Sequence, residues 1–173
     1  MNHPAPKTLT WLRWLTLLLA LTLLVVIKLP PMPSTSEVMS LQLASTPDAF
    51  CCILNQWEKD QQDAFADHFP LDFLFIAAYA LSGYLWAGSS LFAGWPDALV
   101  ALARWALPVA GVLDVGENVL EMYLLYLLKQ LPDLPATVVM LAASCARLKW
   151  VLTGVFALVL MYALGRQCLR SPE

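Results

Sequence analysis

The stretch from Phe73 to Pro96, FLFIAAYALSGYLWAGSSLFAGWP, contains no charged side chain. As a helix at ~1.5 Å per residue it is long enough to cross the ~30 Å hydrocarbon core of a bilayer. Small residues recur along it: Ala77, Ala80, Gly83, Ala87 and Gly88. Gly83 and Ala87 form a small-xxx-small pair, the spacing that lets a neighbouring helix approach closely. Just upstream, Pro70 suits a first helical turn and Asp72 suits the positive end of the helix dipole. The span these signals outline is about residues 70–94.

The rest of the chain agrees with a membrane setting. Of 173 residues, 60% are hydrophobic and 13% are charged, with a mean hydropathy of +0.65. Soluble domains carry about twice that charge. A soluble enzyme and a disordered chain are excluded on composition, and a net charge of −3 supplies no basic footprint for nucleic acid. Four cysteines in this length make no disulfide framework.

Three further apolar runs predict spans at about residues 9–29, 98–128 and 136–165. The first has a short charge-free core, from Trp14 to Ile27. A cleaved signal peptide is therefore the alternative to an anchor, but Pro30, Pro31 and Pro33 crowd the exit and no good cleavage site follows. The third is longer than a membrane needs and contains Pro108 and Gly111. A kink at Pro108 or an interfacial start near Trp105 is expected. Residues 1–29 hold Lys7, Arg13 and Lys28 and no acid, whereas residues 30–72 hold seven acids against Lys59 alone. With Arg104 after span two and Arg166 and Arg170 at the end, this asymmetry predicts cytoplasmic termini and an external segment at residues 30–69.

Within that segment, residues 30–47 read as irregular loop. Thr46 then reads as an N-cap with Pro47 at the first helical position. Phe50, Ile53, Leu54, Trp57, Ala64 and Phe65 share one helical face, and an acidic face lies opposite. Membrane-surface helices normally use Lys and Arg on the polar face, so this helix is expected to cap the bundle. The fold class expected is an all-α integral membrane protein: one membrane domain over residues 1–173, a four-transmembrane-helix bundle with an external amphipathic helix.

Span three carries Asp114, Glu117, Asn118 and Glu121 at i, i+3, i+4 and i+7, so all four share one face. A single central Asp costs roughly 2.5–3.5 kcal/mol to insert. These side chains must meet the bundle interior, a watery pocket or opposite charge. Counting ~1.5 Å per residue from Arg104 and from Arg166 puts Glu121, Lys149 and Arg147 at one level. Lys149 and Arg147 are thus the expected charge partners, with Asp72 near the end of span two. Two bases do not match four acids. One acid is expected to be neutral, and Asp114 is chosen because the count puts it deepest and furthest from Lys149.

The reading that follows is either a structural polar core or a ligand or proton site. Its ligand would be lipid-like or cationic, and the candidate residues are Asp114, Glu117, Asn118, Glu121 and Asp72. Two alternatives stay open: a membrane enzyme acting on a lipid by carboxylate acid–base chemistry, and an accessory subunit. His68 and Asp72, one turn apart, read as an acid–base dyad or simply as an interfacial His beside a first-turn cap. With only His3 and His68, a His-rich metal site or bis-His haem is excluded, and Lys149 counts against Ca²⁺ or Mg²⁺ beside the acids. No metal or cofactor is expected. The partners expected are membrane lipid and, through the small-residue face of span two, a homo- or hetero-oligomer.

The run Gly111-Val112-Leu113-Asp114-Val115-Gly116-Glu117-Asn118 resembles a pattern in small bacterial four-span membrane proteins. In these an Asp-x-x-Glu-Asn helix precedes a span with a Lys-Trp pair, here Lys149-Trp150. The aspartate opening span two, in Leu71-Asp72-Phe73-Leu74-Phe75, is similar too. The resemblance covers spans two to four. It implies a bacterial inner-membrane location and carries no activity. A looser similarity is to the emopamil-binding-type sterol isomerases, whose membrane cavity holds acidic residues. This chain lacks intramembrane histidine, so no isomerase activity is implied.

Overall fold

A computed structural model describes residues 7–170. His3 and the side chains of Lys7, Cys168 and Arg170 lie outside the described residues. The chain is all-helical: α1 (Lys7–Ile27), α2 (Thr35–Leu43), α3 (Pro47–Asn55), α4 (Lys59–Asp67), α5 (Phe69–Ala87), α6 (Asp97–Leu127) and α7 (Ala136–Arg170). Four of these, α1, α5, α6 and α7, are long and apolar enough to span a membrane. This is a multi-pass membrane architecture. Large apolar side chains such as Leu15, Val25, Leu74, Val112, Val119 and Leu158 point outward, which suits lipid as the surrounding solvent.

The spans pack in chain order: α1 on α5, α5 on α6, and α6 on α7. Small residues set how closely they do so. A Cβ on Gly83 would lie 2.6 Å from Leu107 Cδ1, and one on Gly111 would lie 3.2 Å from the Ala80 Cβ. Ala87 is buried as well. Gly83 and Ala87 thus meet helices of the same chain, while Ala77 and Gly88 of the same span are exposed. Ala103, Ala110, Ala143 and Ala146 are fully buried in the same manner on α6 and α7.

The ends of the spans need correction. Helix α5 stops at Ala87, not near residue 94, because Gly88 caps it and a short 3₁₀ turn follows at Ser90–Phe92. Helix α6 starts at Asp97 and runs as one element through Pro108. Arg13 is not a simple flanking charge. Its Nε donates to the Leu85 carbonyl at 3.0 Å and its Nη2 to the Gly88 carbonyl at 3.0 Å. A guanidinium thus satisfies carbonyls left open at the C-terminal end of α5, where the dipole also favours a cation.

The segment between α1 and α5 is helical where a loop was expected. Ser34 and Glu37 form a reciprocal capping box that starts α2, with the Ser34 N–H donating to Glu37 Oε2 at 2.8 Å. Thr46 caps α3 and Pro47 occupies its first turn, as the sequence indicated. That amphipathic run is broken, however, into α3 and α4. Gln61 restarts the chain by accepting from the Glu58 N–H at 2.9 Å. Gln62 Nε2 donates to the Leu54 and Trp57 carbonyls at 3.1 Å each, tying the end of α3 to α4. Phe50, Leu54, Trp57 and Phe65 are buried against Leu124, Leu127 and Val139 of α6 and α7. The three short helices therefore cap one end of the bundle.

Candidate functional site: a charged cleft between α1 and α7

Asp114, Glu117, Asn118 and Glu121 all point inward from α6 and are at most 6% exposed. Lys149 of α7 meets them and is itself buried. Its Nζ lies 2.8 Å from Asp114 Oδ1 and 2.7 Å from Glu117 Oε2. The first contact is a well-formed hydrogen bond. The second is an ion contact outside hydrogen-bond geometry, since neither Glu117 oxygen has a hydrogen-bond partner. Asp114 Oδ2 accepts from the Tyr79 hydroxyl at 2.9 Å. Asn118 Nδ2 donates to Asp72 Oδ2 at 2.6 Å. Two neighbouring groups of polar contacts thus join α5, α6 and α7. Both Glu121 oxygens are buried without a partner.

The sequence-derived residues are brought together with two exceptions. Arg147 does not neutralise the acids. It donates to the Leu43 carbonyl at 3.1 Å and fastens α2 to α7. Asp114 is not the acid furthest from Lys149 but its direct partner, and Glu121 is the one left alone. The rise count failed because it took Arg104 as the membrane edge. Helix α6 begins at Asp97, about 10 Å earlier at ~1.5 Å per residue, and Arg104 sits within the helix over the Tyr84 ring, 5.5 Å from its centroid. Correcting that baseline brings Asp114 level with Lys149.

Beside this network is a cavity of about 340 Å³, within the size range of small-molecule sites. Asp72 and Tyr79 of α5, Asp114 of α6, and Lys149 and Trp150 of α7 form its floor and one wall. Leu24 of α1, Lys28 just past its end, and Val38 and Gln42 of α2 line the rest. His68 also lines it. Its Nδ1 hydrogen-bonds the Phe65 carbonyl, so Nδ1 carries the proton and Nε2 is left as an acceptor. Burial pushes the His68 imidazole below its ordinary pKa, against the attraction of Asp72. Burial likewise lowers that of Lys28, again opposed by Asp72. No His68–Asp72 hydrogen bond forms, so the two are neighbours on one cavity wall and not a hydrogen-bonded dyad.

A second, almost wholly apolar cavity of about 280 Å³ adjoins the first, with Tyr79 and Leu107 lining both. Trp14, Leu17 and Ala20 of α1 face Phe156, Leu160 and Leu164 of α7 across it. The two spaces lie end to end because α1 and α7 form no packed interface with each other among the described residues. Lining residues run from Ile27 to Trp14 on α1 and from Lys149 to Leu164 on α7. That makes a cleft roughly 20 Å long on either helix, floored by α5 and α6. Its rim is open, with Leu24 and Trp150 each 40% exposed.

Lys28 and Thr153 belong to this site without a signal in the sequence, and so does Tyr79, which reads from sequence as packing. Tyr79 offered a partial signal by sharing a face of α5 with Asp72. Among the described residues, no group of three or more His, Cys, Asp or Glu side chains is arranged to hold a metal ion. No family model, curated protein or solved structure matches the chain.

Proposed function

We propose that this protein binds an amphipathic, lipid-like molecule in the cleft between α1 and α7. The polar head lies in the charged chamber and the apolar tail in the adjoining groove. The observation that carries the reading is the adjacency of a charged and an apolar cavity, which share Tyr79 and Leu107 as lining residues. Side chains that served only to fasten helices would fill that space, since interiors pack densely. The two compartments follow one another along the bundle: the charged chamber runs from the α2 end to Tyr79 and Asp114, and the apolar groove continues from there toward Trp14 and Leu91 at the other end. The membrane is a bacterial cytoplasmic membrane, both termini are cytoplasmic, and α2 to α4 lie outside, as the basic residues around α1 and the acids after it favour.

Acid–base catalysis on a lipid finds less support. Asp114 is held by Lys149 and Tyr79, and Glu117 and Glu121 do not line the chamber. The test is extraction of the protein in polymer-bounded discs of native membrane, followed by mass spectrometry of the retained lipids. An amphiphile enriched over bulk lipid and stoichiometric with the chain is expected. Thr153→Trp, which fills the head chamber, is expected to abolish that enrichment. A lipid profile identical to the bulk membrane in wild type and variant overturns the reading.

A further inference from the structure

We infer that Arg104 and Arg13, meeting across Gly88, hold the phosphate of a membrane phospholipid at the end of the bundle opposite α2 to α4. The two guanidiniums reach one glycine from the two helices that pack on α5. Arg13 Nη2 donates to the Gly88 carbonyl at 3.0 Å. Arg104 Nη2 stands 3.4 Å from where a Cβ on Gly88 would lie. Within one residue the carbonyl oxygen and the Cβ position are about 3 Å apart, so the two Nη2 atoms are separated by no more than about 10 Å. One phosphate taking charge-assisted bonds of about 2.8 Å from each side fits that interval. Gly88 is exposed, so the spot is reached from outside the bundle.

The two arginines are not equivalent. Arg13 gives Nε and Nη2 to carbonyls of α5, and its charge more than offsets the roughly half negative charge of that helix end. Arg104 has no such duty. It is half-buried, forms no ion pair among the described residues, and keeps its Nε buried without a hydrogen-bond partner. Buried donors are normally bonded, and a guanidinium fork matches the paired oxygens of a phosphate. Local charge is positive. Arg166 of α7 lies one turn past Ala163, which packs in the same cluster as Ala103. The acid described at this end is Asp97, exposed and about 10 Å from Arg104 along α6 at ~1.5 Å per residue. The surroundings favour a lipid over a free anion. Tyr84 and Trp105 stack edge to face beside Arg104, and they are exposed, as are Trp11 and Trp14 on either side of Arg13. Such aromatic residues sit at the level of lipid head groups.

The experiment titrates the full chain, in micelles of an uncharged detergent, with three probes and reads bound ligand by native mass spectrometry. The probes are phosphatidylglycerol, diacylglycerol with the same acyl chains, and inorganic phosphate. Phosphatidylglycerol is expected to bind at least about tenfold tighter than either of the others. Arg104→Gln should bring it down to the level of diacylglycerol, and Arg104→Lys should recover only part of the difference, because an ammonium lacks the fork. Thr153→Trp, which fills the cleft chamber, should leave it unchanged. Gly88→Val puts side-chain carbons beside Arg104 Nη2 while keeping every charge. It should weaken phosphatidylglycerol as well, and it carries the test if Arg104→Gln loses its helical circular dichroism. Equal affinity for phosphatidylglycerol and diacylglycerol in the wild type overturns the site. Loss of phosphatidylglycerol in Thr153→Trp, with Arg104→Gln and Gly88→Val unaffected, places the lipid in the cleft and also overturns it. Inorganic phosphate bound as tightly as the lipid, and released by Arg104→Gln, makes this a free-anion site and overturns the lipid assignment.

Discussion

Replacing Lys149 with Met removes the one cation inside the acidic network while keeping an unbranched chain in its place. Lys149 is 6% exposed and touches Asp114 at 2.8 Å and Glu117 at 2.7 Å. Breaking a buried pair by removing one partner costs about 3–5 kcal/mol, because a charge is left uncompensated. The two acids do not lose equally. Asp114 keeps the Tyr79 hydroxyl, whereas Glu117 has no other close polar partner. Glu117→Gln in the Lys149→Met background should therefore recover more stability than Asp114→Asn, about 1–3 kcal/mol. Glu121→Gln should recover the least, having no contact with Lys149 to begin with. The assay is reversible unfolding in mixed micelles, followed by tryptophan fluorescence and helical circular dichroism. Interhelical hydrogen bonds in membranes average only about 0.6 kcal/mol. A Lys149→Met loss that small would show an ordinary polar contact in place of an ion pair. Equal rescue by Glu117→Gln and Glu121→Gln would refute the pairing.

Other expectations follow from single contacts. Glu121→Met should stabilise the protein by roughly 1–3 kcal/mol in the same assay, because it deletes a buried group without a partner; a loss of stability would mean that Glu121 has a bonding role. Burial holds His68 below its ordinary pKa, so the unfolded chain takes up its proton first as pH falls. The stability His68 contributes is fully present above about pH 6.5 and is lost as pH falls through the lower folded value. Lys28 opposes that protonation while Asp72 and Asp114 favour it. His68→Gln should flatten the decline in melting temperature between pH 7 and 5, and an unchanged decline would remove His68 as its source. Cys52 is exposed, whereas burial raises the pKa of the half-buried Cys51 thiol. An impermeant maleimide should label Cys52 on intact spheroplasts, and Cys52→Ser should remove most of that signal; labelling only from the cytoplasmic face would reverse the topology.

Much of this architecture is written in the chain as composition and period. Four charge-poor runs mark the spans, and the i, i+3, i+4, i+7 spacing places Asp114, Glu117, Asn118 and Glu121 on one buried face. Local chemistry also marks some boundaries. Thr46-Pro47 starts α3, and the Ser34-x-x-Glu37 capping box that starts α2 is masked in the sequence by the prolines around it. What a one-dimensional reading misses is relative placement. Lys149 meets Glu117, one of the two acids the sequence offers it, but takes Asp114 as the other in place of Glu121, because helix offset depends on where α6 begins and Arg104 lies inside that helix. Arg13 reads as a flanking charge because the open carbonyls it binds belong to α5, more than seventy residues away. The cleft leaves no mark in any single span. It exists because α1 packs on α5 and α7 on α6 without forming a packed interface with each other among the described residues.

The central claim is that this space holds an amphiphile, and a map in native lipid tests it most directly. An electron cryomicroscopy reconstruction from membrane-derived discs, with a rigid antibody fragment to add mass, would resolve the interval between α1 and α7. The account predicts one elongated density with its broad end beside Asp72, Phe75 and Tyr79 and its thin end passing Leu107 toward Leu160. An empty interval, or α1 and α7 closed on each other with their side chains filling it, would contradict the account and leave the buried charges as a fastening of the bundle.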